Sequence, residues 1–161
     1  MYLNPVIFLR YAEQQQGSAD NSIDGLNFNF LLKKHINIYG QVALDEFKKK
    51  YLIHQRHSWV NKQALQLGFK YIDVAGIKNL RWQVEYNLIR PYTYTHTSTG
   101  RNYVHYNQPL AHPMGANLVE KISTLDYDAG KFSFRMKIGT TKQGRDTNIS
   151  NYGCNILRNY N

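Results

Sequence analysis

Residues 25–45, GLNFNFLLKKHINIYGQVALD, hold two stretches in which apolar and polar residues alternate, with a short polar segment between them. Successive side chains of a β-strand point to opposite faces, so an alternation with period two predicts a strand with one apolar face. The polar segment Lys33-Lys34-His35 is short enough to be a turn. The sequence therefore predicts a β-hairpin, whose apolar face carries Leu26, Phe28, Phe30, Leu32, Ile36, Ile38, Val42 and Leu44.

The same rhythm predicts two more hairpins, each made of two alternating stretches around a short turn. The paired stretches are 65–71 with 80–88 and 117–127 with 132–138. The alternation in 117–127 leaves the phase of that strand ambiguous, and residues 5–10 predict one further strand. We therefore predict an all-β fold, an antiparallel meander of long hairpins, in a single domain that spans 1–161.

The predicted connections alternate in length along the chain. The short ones lie near 33–35, 75–78 and 128–130, and the long ones lie near 48–60 and 92–116. Short turns at one end and long loops at the other are typical of outer-membrane β-barrels, whose strands have about ten residues. The face opposite the apolar one carries charges that suit a wet lumen, at Lys70, Arg81, Glu85, Arg135 and Lys137.

Two architectures fit this pattern. We expect the meander to be part of a transmembrane outer-membrane β-barrel, with the apolar face toward lipid. The alternative is a soluble β-sandwich that acts as a carbohydrate-binding module, with the same apolar face packed inward. Alternation alone does not distinguish them.

The composition restricts the classes of partner. The chain has 161 residues and a net charge of +9 that is spread along its length, and 13 of its residues are Tyr. Such a surface suits nucleic acid, anionic polysaccharide or lipid phosphate, while Tyr suits β-surfaces and membrane interfaces. No apolar run approaches the ~18 residues of a transmembrane helix, so the sequence predicts none.

Three motifs carry a resemblance to a known family. They are YGQVALDEF at 39–47, NLIRPYTY at 87–94 and YNQPLAHPMGAN at 106–117. These motifs resemble those of the capsule assembly protein Wzi family of Bacteroidetes outer-membrane proteins, including its RemB-like gliding motility proteins. Members of this family are longer and begin with a signal peptide, so the resemblance implies that this chain is a carboxy-terminal fragment of a larger barrel.

The resemblance implies a non-enzymatic protein of the outer membrane. Its role would be the attachment or assembly of capsular or extracellular polysaccharide, or gliding motility. The implied partners are outer-membrane lipid, extracellular or capsular polysaccharide, and other motility or surface proteins, with no nucleic acid and no cofactor.

The long loop from Tyr92 to Asn117 is the predicted recognition element. Its aromatic rings suit stacking on sugar rings, and its polar side chains suit hydrogen bonding to hydroxyl groups. The candidate ligand-binding residues are Tyr92, Tyr94, Arg101, Tyr103, Tyr106, Asn107, Gln108 and His112. The same pattern suits stacking on nucleic-acid bases, and a packed loop without a ligand is a third interpretation. A surface barrel favours an acidic glycan.

Sites for chemistry are only weakly indicated. His96, His105 and His112 share the long loop, but their spacing matches no standard zinc or copper motif. The adjacent Asp45 and Glu46 would point to opposite faces of a strand, which makes them a poor acid–base pair. We therefore expect no catalytic residue, no metal site and no enzyme activity.

Overall fold

The computed structural model describes residues 23–45, 62–148 and 150–158, so the strand predicted at 5–10 lies outside the described residues. The strands are β1 (Ile23–Leu32), β2 (Ile36–Asp45), β3 (Gln63–Ile72), β4 (Leu80–Ile89), β5 (Val104–His105), β6 (Gln108–Pro109), β7 (Leu118–Ala129) and β8 (Phe132–Gln143). Two short 3-10 helices, Val74–Gly76 and Thr99–Arg101, lie in the connections. No helix in these ranges is long and apolar enough to cross a membrane.

Six long strands form one antiparallel sheet in the order β1-β2-β3-β4-β7-β8. This order confirms the predicted meander and its three hairpins. Because successive strands run in opposite directions, the short turns lie at one end of the sheet, the turn end, and the long connections lie at the other, the loop end. Within the described ranges β1 and β8 each pair on one side only, so the sheet has two edges.

The register of the sheet separates its side chains into two faces. Residues directly opposite each other in neighbouring strands share a face. All the apolar residues of the first predicted hairpin fall on one face, the apolar face, together with Phe69, Trp82 and Phe134. The other face, the polar face, carries the five predicted charges, Lys70, Arg81, Glu85, Arg135 and Lys137. The predicted segregation is confirmed.

The register also gives the phase of β7. Lys121 and Ser123 lie on the apolar face with Leu125, whereas Ile122 lies on the polar face. The alternation in this strand is therefore imperfect, which explains why the sequence left its phase ambiguous. Toward the loop end of this face, Lys121 on β7 and Lys142 on β8, which lies opposite Val119, interrupt the apolar residues of these two strands.

The apolar face is exposed over much of its area. Phe30, Phe132 and Met136 are 60%, 71% and 56% exposed. Phe69 and Trp82 pack edge to face with their ring centroids 5.9 Å apart, so contacts here are between neighbours in the sheet. The soluble β-sandwich alternative requires a second sheet over this face, and none is formed by the part of the chain that the structure describes.

The buried core lies at the loop end, on the polar face. It consists of Ala64, Ile89 and Leu118 from the strands with Tyr94, Ala116 and Ile156 from the connections. The three strand residues lie directly opposite one another in the register. At the loop end, therefore, the strand residues on the polar face are apolar, because the connections cover them there. This packing places the long connection between β4 and β7 over the polar face.

Candidate functional site

Residues 90–117, which we call the capping loop, fold across the polar face at the loop end. The backbone N–H of Tyr94 donates to Asp45 Oδ2 at 2.8 Å, and Lys62 Nζ donates to the carbonyl of Thr95 at 2.8 Å. The Asp45 and Lys62 side chains are fully buried, so both hydrogen bonds are shielded from water. These bonds hold Tyr94 at a φ of 70°, a left-handed conformation that is costly outside glycine.

The segment that follows β8 packs against the capping loop and holds it from a second side. Asn102 Nδ2 donates to the carbonyl of Ile156 at 2.8 Å, and Asn102 Oδ1 accepts the backbone N–H of His96 at 2.7 Å. The rings of Tyr92 and Tyr152 lie 5.7 Å apart, and the Tyr92 N–H donates to the Tyr152 carbonyl at 2.8 Å. The capping loop is therefore fixed both to the sheet and to this segment.

Within the capping loop, β5 and β6 form a small hairpin with an exposed tip. Its turn residues, Tyr106 and Asn107, have positive φ angles of 46° and 57°, as in the two-residue turns that suit β-hairpins. Tyr106 is 87% exposed, and its ring packs edge-on against His105. Tyr106, Asn107 and the exposed Gln108 therefore face solvent at the tip.

A cavity of about 940 Å³ lies between the polar face and the capping loop. Its polar lining is Asn27, Gln41, Gln66 and Asn87 from the sheet, with Tyr94, Arg101, Asn102, Tyr103 and His112 from the loop. The four sheet residues lie directly opposite one another across β1 to β4, so their side-chain amides form one row, the amide row. Neighbouring strands are roughly 4.8 Å apart, which sets the spacing of these amides.

Glu120 continues the amide row on β7 and connects it to the capping loop. It accepts a hydrogen bond from Asn87 Nδ2 at 3.0 Å, and its Oε2 lies 2.9 Å from His112 Nε2. The other ring nitrogen of His112 accepts the backbone N–H of Met114 at 3.2 Å, so Nε2 carries the proton and donates it to Glu120. This hydrogen bond fastens the last part of the capping loop to the sheet.

Tyr94 and Tyr103 form a stacked aromatic pair in the cavity lining. Their ring centroids are 5.9 Å apart with an interplanar angle of 30°. Tyr94 is only 5% exposed whereas Tyr103 is 39% exposed, so the buried ring supports the exposed one. Burial, the Asp45 carboxylate and the Tyr103 hydroxyl raise the pKa of Tyr94 to about 12, so its hydroxyl keeps its proton at neutral pH.

A second polar cluster lies beside the amide row, toward the turn end. Tyr39 donates its hydroxyl proton to Glu85 Oε1 at 2.5 Å, and Gln83 Nε2 donates to the Tyr39 hydroxyl at 2.7 Å. The Tyr39 ring crosses Gly68 on the strand between them, because a Cβ at position 68 would lie 2.1 Å from ring atom Cζ. A glycine at this position therefore lets a side chain of β2 reach a carboxylate of β4.

The structure brings half of the candidate ligand-binding residues together. Tyr94, Arg101, Tyr103 and His112 line the cavity, whereas Tyr92 packs on Tyr152 and the other three form the exposed tip. The amide row forms no motif in the sequence, although the alternation already places its residues on the polar face. The missing information was that the capping loop folds over them.

The chemistry available at this site is hydrogen bonding and stacking. No group of three or more His, Cys, Asp or Glu side chains among the described residues is arranged to hold a metal ion. Burial, together with the nearby Asp146, raises the pKa of the Cys154 thiol, which keeps the thiol protonated at neutral pH.

No protein-family model, curated protein or solved structure matches this chain. The fold and the site define it as an all-β protein with an antiparallel six-stranded sheet and a loop-capped cavity on the polar face. The resemblance to the Wzi family rests on the three sequence motifs alone.

Proposed function

We propose that this chain is part of an outer-membrane β-barrel that retains extracellular polysaccharide at its loop end. The observation that carries the proposal is the segregation of apolar and polar side chains onto opposite faces of six strands of 10 to 12 residues. Strands of this length span a bilayer when tilted, and an exposed apolar face suits lipid. Closure with further strands would pair the edges of β1 and β8.

The two ends of the apolar face support the same proposal. Tyr71, Trp82 and Tyr127 lie on this face near the turn end, where an aromatic girdle would meet one membrane interface. Lys121 and Lys142 lie on it at the loop end, where long cationic side chains reach the lipid headgroups. On β7 and β8, apolar residues thus lie between side chains that suit the two membrane interfaces.

Ion pairs on the polar face suit a wet lumen. Arg81 and Asp128 are 2.7 Å apart at the turn end, and Arg135 Nε and Asp126 are 2.5 Å apart beside them. All four belong to the polar face, so the apolar face is spared these charges. Burying such ion pairs against lipid would cost free energy, whereas exposing them to water costs little.

The polysaccharide role is supported by the place of the most distinctive motif. Residues 106–117 contribute the exposed tip and one wall of the cavity, so the motif that resembles the Wzi family is part of the candidate site. Retention or assembly of capsular polysaccharide is the role that we propose. A role in gliding motility, with other surface proteins as partners, is the alternative that the same resemblance implies.

The barrel proposal is tested by a pair of substitutions in neighbouring residues of β8. Ile138→Arg places a charge in the exposed apolar stretch, between the rows assigned to the two membrane interfaces, and should cost the folded protein ~2–4 kcal/mol in a lipid bilayer. Lys137→Arg, on the polar face, should change the free energy of unfolding by less than about 0.5 kcal/mol. Urea unfolding in phospholipid vesicles measures both, after flotation has shown that the protein is integrated in the membrane.

Two results would contradict the proposal. One is recovery of the protein from the soluble fraction as a monodisperse monomer that melts cooperatively without detergent. The other is an Ile138→Arg variant that inserts normally and is as stable as Lys137→Arg. The role in retention is tested separately, because cells that lack the protein should release polysaccharide into the medium instead of holding it at the surface.

A further inference from the structure

We propose that the cavity between the amide row and the capping loop is a binding site for an acidic oligosaccharide. This inference rests on the proposed function, because it names the ligand class for the same end of the molecule. The recognition site would then lie in a concave space bounded by the sheet, and not on the exposed loop surface that the sequence had suggested.

The size of the cavity suits a ligand of several sugar rings. Ligand pockets occupy roughly 300–1,000 Å³, and this cavity of about 940 Å³ is near the upper limit. The capping loop is fixed by its buried hydrogen bonds to the Asp45 carboxylate and from the Lys62 ammonium group, and by the His112–Glu120 contact. The walls are therefore preformed, which lowers the entropy lost when a ligand binds.

The amide row supplies hydrogen bonds of the kind that sugars require. Each Asn or Gln side chain offers two donors and one acceptor oxygen, and sugar hydroxyl groups both donate and accept. Four such side chains stand in one row across four strands, so a chain of sugar rings laid across the strands meets an amide at each strand. The Asn87 amide is oriented by its bond to Glu120.

The stacked tyrosines supply the apolar contact. Tyr103 exposes ring area in the cavity lining, and the buried Tyr94 ring behind it prevents it from turning away. An aromatic ring with a polar hydroxyl suits the flat C–H face of a pyranose together with its hydroxyl rim. Amides on one wall and an aromatic ring on the other therefore match the two kinds of surface that a sugar presents.

The charge of the lining favours an acidic sugar. Arg101 and His112 are the basic residues that line the cavity, and no Asp or Glu is found among its described lining residues. Arg101 carries a permanent positive charge in this wall of the cavity, whereas His112 donates to Glu120. A guanidinium group binds a carboxylate through two parallel hydrogen bonds, which suits a uronic acid.

The test measures binding of tetragalacturonate and of its carboxyl-reduced form, tetragalactose, by calorimetry with the purified protein in detergent micelles. The wild-type protein should bind the charged probe about tenfold more tightly than the neutral one. Arg101→Gln should abolish that preference. Gln66→Leu should weaken the binding of both probes by about tenfold, because it removes hydrogen bonds at similar volume.

A matched control separates the cavity from the rest of the polar face. Asn29→Leu makes a comparable substitution on the polar face of β1, outside the cavity lining, and should bind both probes like the wild type. If Gln66→Leu does not fold, Gln41→Leu tests the same row from the neighbouring strand. Melting temperatures within a few degrees of the wild type show that each variant is folded.

Three results overturn the inference: no binding of either probe by the wild type, equal affinity for both probes, or full affinity in the folded Gln66→Leu variant. Tight binding of a short single-stranded oligonucleotide without binding of the uronate also overturns it. Membrane-integrated protein that fails to bind refutes the cavity and leaves the barrel intact. Soluble protein that binds as expected refutes the barrel and leaves the cavity intact.

Discussion

Replacing Gly68 with alanine tests how the polar face is organised. The new methyl group would lie 2.1 Å from Cζ of the Tyr39 ring, so the ring must leave its place across β3. Tyr39 then loses its hydrogen bonds to Glu85 at 2.5 Å and from Gln83 at 2.7 Å. A hydrogen bond to a carboxylate is stronger than one between neutral groups, so the two bonds together contribute about 2–4 kcal/mol to the free energy of unfolding.

A strand residue with a Cβ is favoured over glycine by about 0.5–1 kcal/mol, which partly offsets that loss. We therefore expect Gly68→Ala to lower the free energy of unfolding by about 1–3 kcal/mol. Gly139 is the matched control, since it lies in the same row of the sheet and a Cβ there would meet nothing closer than 3.4 Å. Gly139→Ala should be neutral or slightly stabilising.

Urea unfolding in phospholipid vesicles, followed by tryptophan fluorescence, measures both variants. The cause is checked in a Tyr39→Ala background, where Gly68→Ala should lose its penalty because no ring has to move. The reasoning is refuted if Gly68→Ala and Gly139→Ala agree within about 0.5 kcal/mol, or if the penalty persists without the tyrosine ring.

Three further predictions concern the capping loop. His112→Ala removes the hydrogen bond to Glu120 and should speed amide hydrogen exchange in residues 106–115 about tenfold while exchange in the strands is unchanged; equal exchange in the loop would contradict the anchoring role. Because the pKa of Tyr94 is raised from 10.0 to about 12, its stabilising contribution is complete below pH 10 and is lost as the pH rises through 12. The melting temperature should therefore fall more steeply between pH 10 and 12 than in Tyr94→Phe, and parallel curves would count against this assignment. Tyr103→Ala should reduce surface polysaccharide in cells, whereas Tyr106→Ala, at the exposed tip, should not; similar losses in both variants, at equal abundance, would place recognition outside the cavity.

The strands and their faces could be predicted from the sequence because local periodicity determines both. Each of the hairpins follows from alternation and a short turn, and the register then follows from the turn. The exception was β7, where Lys121 and Ile122 reverse the usual pattern. Their positions depend on contacts with neighbouring strands, which periodicity within one strand does not contain.

The site was less predictable because it depends on long-range contacts. Tyr94 and Tyr103 were recognised by residue type, but the sequence held no sign that Tyr94 would be buried against Asp45, 49 residues away. The amide row was missed because Gln41 and Gln66 look like ordinary polar-face residues until the capping loop covers them. The types of side chain in the site are visible in the sequence, whereas the folding of the capping loop over the sheet determines which of them share the cavity.

The strand order has a consequence for how such a protein changes over evolutionary time. Among the described residues, every long strand pairs only with the long strands next to it in the chain, so no connection between them crosses the sheet. A duplication or deletion of one whole hairpin would leave all remaining pairings in register and keep the tight turns on one side. Such a lineage can widen or narrow by two strands at a time, and the cavity walls built by β1 to β4 persist as a heritable unit when the change falls on another hairpin.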